Sequence, residues 1–458
     1  MRPAYSLLGN QFVLALALVF ICSGIVMLGV ISALESHQLA AEPWTDALVT
    51  PDAVLETQGA ISVRARRLPI ERKEDDPLNI ILSQLEGTEG LEGAVEALQP
   101  EHVLAVDLPV HELAPLLDEG RLPDPGKREA LAGVLARFPR FTLDGETFEV
   151  VGRLKPTVSG FIFAYLLPLT PEVAPYFAEE HGATRGSLLL DGLPRFDELF
   201  PESMDEKEVP DALGGQLLTK PAYAWTSFWA LLLVACGSVL AHRRLFRAWV
   251  HGAPEVFRDI LRETVRAKRL FLGMHLLLYG VFFGSILAGM SQPLLNYWMT
   301  HFIGSTFREG GLRYIGDAYA SGNIALAALA TFYNNYVVQT LLFTFAISVL
   351  GVPLGVIKTA LSFLTVGFVM APIWAGAASG MTFHCITMAL ELEAYIVACF
   401  AVTLWPLRVL RAIVGNDTRR EFLAAVRMFV GAMVLSGVML ALAALYEATT
   451  IILLRPLL

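Results

Sequence analysis

An apolar stretch of the chain, residues 331–380, most constrains what it can fold into. The stretch holds one charged residue, Lys358, and an asparagine pair, Asn334 and Asn335, interrupts it. Hydrocarbon offers no hydrogen-bond partners, so both amides must contact protein, water or the interface. The stretch therefore predicts a membrane-embedded core in which helices pack against one another.

The composition of the whole chain agrees with a membrane protein. Hydrophobic residues make up 55% of the 458 residues, charged residues 17%, and the mean hydropathy is +0.54. A soluble chain carries more charge. Windows of about 20 residues predict a polytopic α-helical membrane protein with about seven transmembrane helices. These lie near 12–34, 223–241, 270–290, 337–357, 359–378, 383–405 and 428–451.

Residues 36–222 lack an apolar run of membrane length and are long enough to form a domain of their own. They carry 33 Asp and Glu against 16 Lys and Arg, a net charge of −17, which leaves +7 for the rest of the chain because the total is −10. The predicted organisation is an N-terminal anchor helix at 1–35, an acidic α/β (α+β) domain at 36–222 and a helical membrane domain at 223–458.

Basic residues cluster in two loops, and their distribution predicts the orientation. Loops rich in Lys and Arg face the cytoplasm. We therefore predict a multi-pass protein of the bacterial inner membrane, with a cytoplasmic N-terminus, a periplasmic domain at 36–222 and the C-terminus outside. The apolar run at 12–34 is too long for a signal peptide and predicts an uncleaved anchor. The basic residues are Arg243, Arg244, Arg247, Arg258, Arg262, Arg266, Lys268, Arg269, Arg408, Arg411, Arg419 and Arg420.

Within the acidic domain, Asp144 and Gly145 separate two runs of β-forming residues and predict a type I′ hairpin. A helix is predicted at 78–98 and a strand at 102–110. The segment Glu119-Gly120-Arg121-Leu122-Pro123 through Glu129, followed by the strand pair at 141–154, resembles the periplasmic domains of macrolide-exporter-type (MacB/FtsX-like) ABC permeases. That resemblance implies a permease that moves a lipid or hydrophobic substrate and works with a separate ATPase chain.

The C-terminal half resembles a different family. The asparagine pair opening a helix, the glycines at 351, 355 and 367, and the segment 390–395 resemble the stage II sporulation protein M (SpoIIM-like) family, over about 323–458. The family pattern has His-Gly before its glutamate, where this chain has Thr387 and Met388. The resemblance implies that Asn334, Asn335 and Glu391 are the functional positions.

Two glutamates stand deep in the predicted sixth span. Glu391 and Glu393 would be costly there without partners, and being two residues apart they point about 200° away from each other. Candidate partners are Lys358, His384 and the asparagine pair. Two interpretations stay open: a polar site or aqueous cavity, or a helix-packing contact with Glu393 reaching outward. The predicted polar core cluster comprises Asn334, Asn335, Glu391 and Glu393.

Small residues and an amphipathic segment predict further contacts. Three GxxxG pairs predict close helix packing: Gly280 and Gly284, Gly351 and Gly355, and Gly376 and Gly380. Residues 254–268 separate an apolar stripe from an arginine face, which predicts either a coupling helix for a cytoplasmic ATPase or a helix on the anionic inner leaflet. The predicted partner-contact residues are Phe257, Arg258, Ile260, Leu261 and Arg262.

Catalytic motifs are absent from the sequence. It contains no HExxH, CxxC, GxSxG or Walker A pattern, and its four cysteines fall in or beside predicted membrane helices. We therefore predict a non-enzymatic membrane subunit without catalytic, cofactor-binding or metal-binding residues. The expected partners are membrane lipid and other subunits of an envelope complex, a cytoplasmic ATPase among them, and not nucleic acid. An ion- or proton-coupled carrier built around Glu391 is a third alternative.

Overall fold

The computed structural model describes residues 3–41, 48–51, 61–68, 102–134, 136, 138–155, 164–181, 183–189, 218–308, 310–349, 354–414 and 418–454. The chain forms two compact units. One contains Met1–Ser32, Ala222–Pro372 and Gly376–Leu458, and the other contains Ala33–Pro221 and Ile373–Ala375. The predicted helix at 78–98 lies outside the described residues.

The smaller unit is built on a mixed sheet, and the part of it that the structure describes has nine strands. The strand order is β1-β9-β2-β3-β8-β5-β7-β4, with β6 paired to β7; β3 and β8, like β5 and β7, run parallel. The strands are β1 Leu48–Pro51, β2 Ile61–Arg67, β3 His102–Val106, β4 Leu117–Gly120, β5 Glu129–Ala132, β6 Arg140–Leu143, β7 Glu146–Leu154, β8 Ala164–Pro168 and β9 Thr184–Leu189.

Apolar side chains cover both faces of the sheet. In β3, Leu104 and Val106 belong to one buried cluster, whereas Val103 and Ala105 belong to another. Successive strand residues point to opposite faces, so a strand that is apolar throughout needs cover on both sides. A short 3₁₀-helix, Val110–Leu116, supplies part of the cover on one face.

The predicted hairpin joins β6 and β7. Asp144 and Gly145 have φ angles of 50° and 83°, the left-handed values that a type I′ turn requires. Asp144 also accepts two hydrogen bonds from Arg66 on β2, at 2.6 and 2.7 Å, and this pairing lowers the pKa of its carboxyl. The hairpin prediction is confirmed, and the turn residue is tied to a neighbouring strand.

The loop between β4 and β5 is closed by an ion pair. The Arg121 guanidinium donates to both oxygens of Glu129, at 2.6 and 2.7 Å, and the Asp124 amide donates to the same carboxylate at 2.9 Å. Gly120 and Gly126 take positive φ values of 84° and 82°. The segment that resembles MacB/FtsX-like domains is therefore a structural loop whose arginine and glutamate bind each other.

The larger unit is helical. In its described part, five helices are long and apolar enough to cross a membrane: α1, α2, α4, α9 and α10. The bounds are α1 Pro3–Ala41, α2 Pro221–Trp249, α3 Glu255–Arg266, α4 Lys268–Ser291, α5 Pro293–Arg308, α6 Arg313–Ala320, α7 Ile324–Phe332, α8 Leu354–Val369, α9 Ala377–Val414 and α10 Thr418–Thr449. Helix α7 continues into a π-helix, Tyr333–Ala346.

Two of the seven predicted spans are not among these five helices. The span predicted near 337–357 falls partly on the π-helix Tyr333–Ala346, which has 14 residues. The span predicted near 359–378 corresponds to α8, which has 16 residues. At 1.5 Å per residue α8 is about 24 Å long, shorter than a hydrocarbon core of about 30 Å. Five crossings are supported by length and composition, and the count of seven stays a prediction.

The close helix contacts of the described residues lie mostly at small residues other than the predicted GxxxG glycines. A Cβ added at Gly280, Gly284 or Gly380 would meet no heavy atom of the described residues within 4 Å, and Gly376 precedes α9 with φ +81°. The spacing does not specify which face of a helix meets a neighbour, so close packing at these four glycines stays a prediction. Gly351 lies outside the described residues. Gly355 does make a close contact, since an added Cβ would lie 2.5 Å from the Thr344 carbonyl oxygen.

The anchor helix packs on α2 through small residues. A Cβ at Gly24 would lie 2.6 Å from the Ala230 carbonyl oxygen, and one at Gly237 would lie 2.7 Å from that of Ala17. The two small residues on each helix are seven positions apart, so they share a face. Larger side chains at either glycine would separate α1 from α2.

The Arg121–Glu129 pair gives the smaller unit a defined pH dependence. Hydrogen bonds from Arg121 lower the pKa of Glu129 from its ordinary 4.5 to about 2, against the opposing effect of burial. The stabilisation is complete above pH 4.5 and is lost as the pH falls towards 2, because folding then requires an ionised carboxylate. Residues 36–222 expressed alone should melt cooperatively. Their melting temperature should fall as the pH is lowered from 4.5 towards 2.

The variant Glu129→Gln should have a lower melting temperature than wild type at pH 7. Below pH 4.5 its melting temperature should fall less with decreasing pH than that of wild type. A matched control is Glu146→Gln, which removes an exposed pair with Arg128 and should change stability little. An identical acid response in wild type and Glu129→Gln would contradict the assignment.

Candidate functional sites in the helical core

The carboxylate of Glu393 lies inside the helical unit and is bound by two side chains of α4. It is 0% exposed, its Oε2 lies 2.9 Å from His275 Nε2, and its Oε1 accepts from the Tyr279 hydroxyl at 3.3 Å. His275 and Tyr279 are four residues apart and therefore share one face of α4. All three residues lie in helices of membrane-spanning length.

Both ring nitrogens of His275 face oxygen atoms. Nδ1 lies 2.7 Å from the Phe271 carbonyl oxygen, and Nε2 faces Glu393. Because a carbonyl only accepts, Nδ1 carries a proton and donates it. A second proton then lies between Nε2 and the carboxylate, either as an ion pair or as a neutral hydrogen bond. Either arrangement leaves the pair without net charge.

A narrow apolar cavity adjoins this pair. Helices α2, α4 and α9 leave a small cavity of about 10 Å³ between them. Leu231, Phe282, Cys385 and Leu392 contribute to its walls, and Tyr279 is its polar member. A cavity of this size has room for about one water molecule and none for a larger ligand.

The asparagine pair forms a second polar site with the other glutamate. Asn335 Nδ2 donates to Glu391 Oε1 at 2.8 Å, and Asn334 Nδ2 donates to Asn335 Oδ1 at 2.9 Å. Tyr314 donates to Asn334 at 3.4 Å. The structure thus brings Asn334, Asn335 and Glu391 into one hydrogen-bonded chain that ends on a carboxylate.

The π-helix sets the position of these amides. Thr340 donates to the Asn335 carbonyl at 2.7 Å and Thr344 donates to that of Gln339 at 2.9 Å, each five residues back. A π-helix is wider than an α-helix, and such segments frequently occur at functional sites. The wider turns and these hydroxyl bonds fix the backbone that carries Asn335.

Grouping Glu393 with the asparagine pair is wrong, as is the interpretation in which it reaches outward. Glu391 and Glu393 face different neighbours, as their separation on α9 requires, and Glu393 binds His275. Of the other predicted partners, Lys358 donates to Gln339, and His384 Nδ1 lies 3.9 Å from Glu447. Glu391 is therefore paired with the predicted Asn335, whereas Glu393 is paired with His275, which the sequence did not single out.

Sequence reasoning missed three residues of these sites: His275, Tyr279 and Glu447. The first two form a polar pair at i and i+4 in an otherwise apolar helix, and Glu447 is an acidic residue in the last apolar span. Polar groups in such positions are a general signal of function. The sequence contains that signal but does not identify which groups meet.

Helix α3 buries the stripe that was predicted to contact a partner or lipid. It packs against α10, and Ile260 and Leu261 are fully buried. Phe257 is half-buried and its ring lies 5.4 Å from that of Trp249. Ile260 and Leu261 are therefore covered by α10, and a contact of this helix with a partner or with lipid stays a prediction. The exposed face carries Arg262 and Arg266, whereas Arg258 is half-buried.

Ion pairs fix α3 to two longer helices. Glu263 of α3 pairs with Arg408 of α9, and Asp259 pairs with Arg427 of α10 at 2.9 Å. The side chains of Glu263 and Arg408 are 8% and 19% exposed, so water screens this pair little. The basic ends of α9 and α10 therefore meet the loop that contains α3.

The fold and these sites define a polytopic helical membrane protein. Comparison of the chain with protein-family models, with curated proteins and with solved structures gives no match. The described residues contain no group of three or more His, Cys, Asp and Glu that could hold a metal ion. The relationship to either resembled family is therefore neither supported nor excluded by these comparisons.

A double-mutant cycle tests the Glu393 site. Because His275→Leu leaves a buried carboxylate without its partner, it should destabilise the protein by about 3–5 kcal/mol. The combined variant His275→Leu with Glu393→Leu should cost less than the sum of the single changes, since no unpaired charge remains. Thermal unfolding in detergent measures the three variants.

A control for this cycle is Cys385→Ala, a buried change on α9 outside the hydrogen bonds of the site. Its effect should add to that of His275→Leu. Strictly additive losses for His275→Leu and Glu393→Leu would show that the two residues do not depend on each other.

Proposed function

We propose that this chain is a non-catalytic, permease-like or scaffolding subunit of an envelope complex in the bacterial inner membrane. The observation that carries the proposal is the α3 assembly, in which ion pairs hold a short amphipathic helix against the ends of α9 and α10. A helix fixed in this way presents a defined polar surface, on which Arg262 and Arg266 are the exposed basic residues. Such a surface suits a protein partner better than free insertion into lipid.

The same ion pairs support the proposed orientation. Residues 242–269 and residues 408–420, which include the last turns of α9 and the first of α10, are the two basic regions, and the Glu263–Arg408 pair joins them. Loops that contact each other lie on one side of the membrane. With that side cytoplasmic by the positive-inside rule, the N-terminus is cytoplasmic, residues 36–222 are periplasmic and the C-terminus is outside.

The orientation does not depend on whether five or seven helices cross. The two segments in question, 324–348 and 354–369, are consecutive. A pair of crossings returns the chain to the side from which it started. Both counts therefore give the same sides for the basic loops, the acidic domain and the two ends of the chain.

An ABC-type permease with a separate ATPase chain is the second candidate function, favoured by the exposed arginines of α3. An ATPase partner would have to bind this polar face, because Ile260 and Leu261 are occupied by α10. The partner surface proposed is therefore centred on Arg262, Arg266 and the half-exposed Val265. Purification with an ATPase favours the permease, and purification with cell-wall enzymes favours the scaffold.

Cysteine labelling in intact cells tests the orientation. In a background that lacks the four native cysteines, a reagent that cannot cross the membrane should label Asp118→Cys but not Arg262→Cys or Arg411→Cys. Permeabilised cells provide the control, since all three positions should then react. Labelling of Arg262→Cys from outside would contradict the proposed orientation.

Affinity purification in mild detergent, followed by mass spectrometry, tests the partner surface. Arg262→Glu together with Val265→Asp alters the exposed face and leaves the buried stripe in place, so partners that bind α3 should be lost while insertion is unchanged. Arg313→Glu, an exposed change on α6, is the matched control and should keep every partner. Retention of all partners by the α3 variant would exclude this face as the contact.

A further inference from the structure

A single lysine, Lys358, lies where α8 meets the π-helix, and it is the one charged residue of the stretch 331–380. Its Nζ donates to Gln339 Oε1 of the π-helix and lies 5.9 Å from the centre of the Phe343 ring. No carboxylate pairs with it in the part of the chain that the structure describes. A charge in an apolar region is costly without a counter-charge, so an anionic ligand would stabilise this site.

Contacts between the two helices fix the position of this lysine. The Gly355 amide donates to Ser348 Oγ at 3.1 Å, and the hydroxyls of Thr344 and Thr359 lie 3.4 Å apart. Gly355 also approaches the Thr344 carbonyl so closely that a Cβ there would lie 2.5 Å from its oxygen. The start of α8 is therefore held against the π-helix, and the ammonium group keeps its place beside the amide that binds it.

The residues around the lysine form an exposed apolar surface. Leu354 lies four residues before Lys358 and Leu361 three residues after it, so all three share one face of α8. Both leucines are exposed, and so is Phe343 of the π-helix. Exposed apolar side chains of a membrane protein contact lipid chains, which are as apolar as leucine. Lipid chains would therefore lie directly beside the ammonium group.

The lysine also lies near one end of α8. It is four residues, about 6 Å, from Leu354, where the helix begins. Shortly before that start, the Val349 carbonyl accepts a hydrogen bond from Trp405 Nε1 at 3.2 Å. Tryptophan is enriched at the membrane–water interface, and a lysine extends its charged end along apolar surface towards that interface. The ammonium group is therefore within reach of lipid headgroups.

We propose that Lys358 binds the phosphate of an anionic phospholipid whose chains lie along the exposed apolar residues of α8 and the π-helix. Basic sites between membrane helices are a known means of binding such headgroups. Gln339 uses Oε1 for the lysine, which leaves Nε2 of the same amide as a second donor to the phosphate. A zwitterionic headgroup carries its own cation beside the phosphate, so the site should prefer an anionic one. This inference goes beyond the proposed function and requires no partner protein.

Thermal unfolding of the intact protein in detergent tests the proposal, with phosphatidylglycerol or phosphatidylcholine of the same chains added. Wild type should be stabilised at lower concentrations of phosphatidylglycerol. Lys358→Met keeps the length of the side chain and removes its charge, so it should reduce this preference about fivefold, the share that one lysine contributes at an anionic surface. Lys358→Arg should keep the preference. The matched control Lys220→Met, a change at an exposed lysine just before α2, should keep it too.

A second variant keeps the test decisive if Lys358→Met does not fold. Gln339→Leu leaves the charge in place and removes the amide, so it should weaken the preference for phosphatidylglycerol. Native mass spectrometry should show one phosphatidylglycerol molecule fewer on Lys358→Met than on wild type. An equal preference in wild type and Lys358→Met would overturn the proposal and favour an acidic group of a partner subunit as the counter-charge. Equal stabilisation of wild type by inorganic phosphate without lipid would overturn the assignment to a phospholipid.

Discussion

Three carboxylates, Glu391, Glu393 and Glu447, lie in helices that are apolar enough to cross a membrane. A charged group at the centre of such a helix costs about 2.5–3.5 kcal/mol on insertion scales. Three unpaired carboxylates would together rival the net stability of a typical domain, about 5–15 kcal/mol. The helical unit is arranged so that these carboxylates meet polar groups, and this requirement explains which faces of α4, α9, α10 and the π-helix lie together.

The sequence predicted features that depend on local chemistry. The Asp144-Gly145 turn requires left-handed backbone angles that these residues adopt readily, and the long helices follow from runs of apolar residues. The opposite directions of Glu391 and Glu393 follow from helix geometry alone. Each of these predictions uses a few neighbouring residues and needs no knowledge of the tertiary structure.

Features that depend on long-range contacts were not predictable in the same way. His275 and Glu393 are 118 residues apart in the chain, and nothing local indicates that they meet. Helix α3 has the same amphipathic pattern whether its apolar stripe faces lipid, a partner protein or α10. The pattern alone therefore could not identify which of the three covers the stripe. The GxxxG spacing likewise leaves open which face of a helix meets a neighbour, and a Cβ at Gly280 or Gly284 would contact none of the residues that the structure describes.

Helix α9 carries both polar sites and the arginine that holds α3. Its 38 residues extend about 57 Å, nearly twice the thickness of a hydrocarbon core, so Arg408 lies well away from the glutamates along the axis. Since Glu391 and Glu393 point in nearly opposite directions, a sideways displacement of α9 towards the partner of one glutamate moves the other glutamate away from its own partner. The two sites therefore fix the position of α9 between its neighbours, and the same helix carries Arg408, which holds α3.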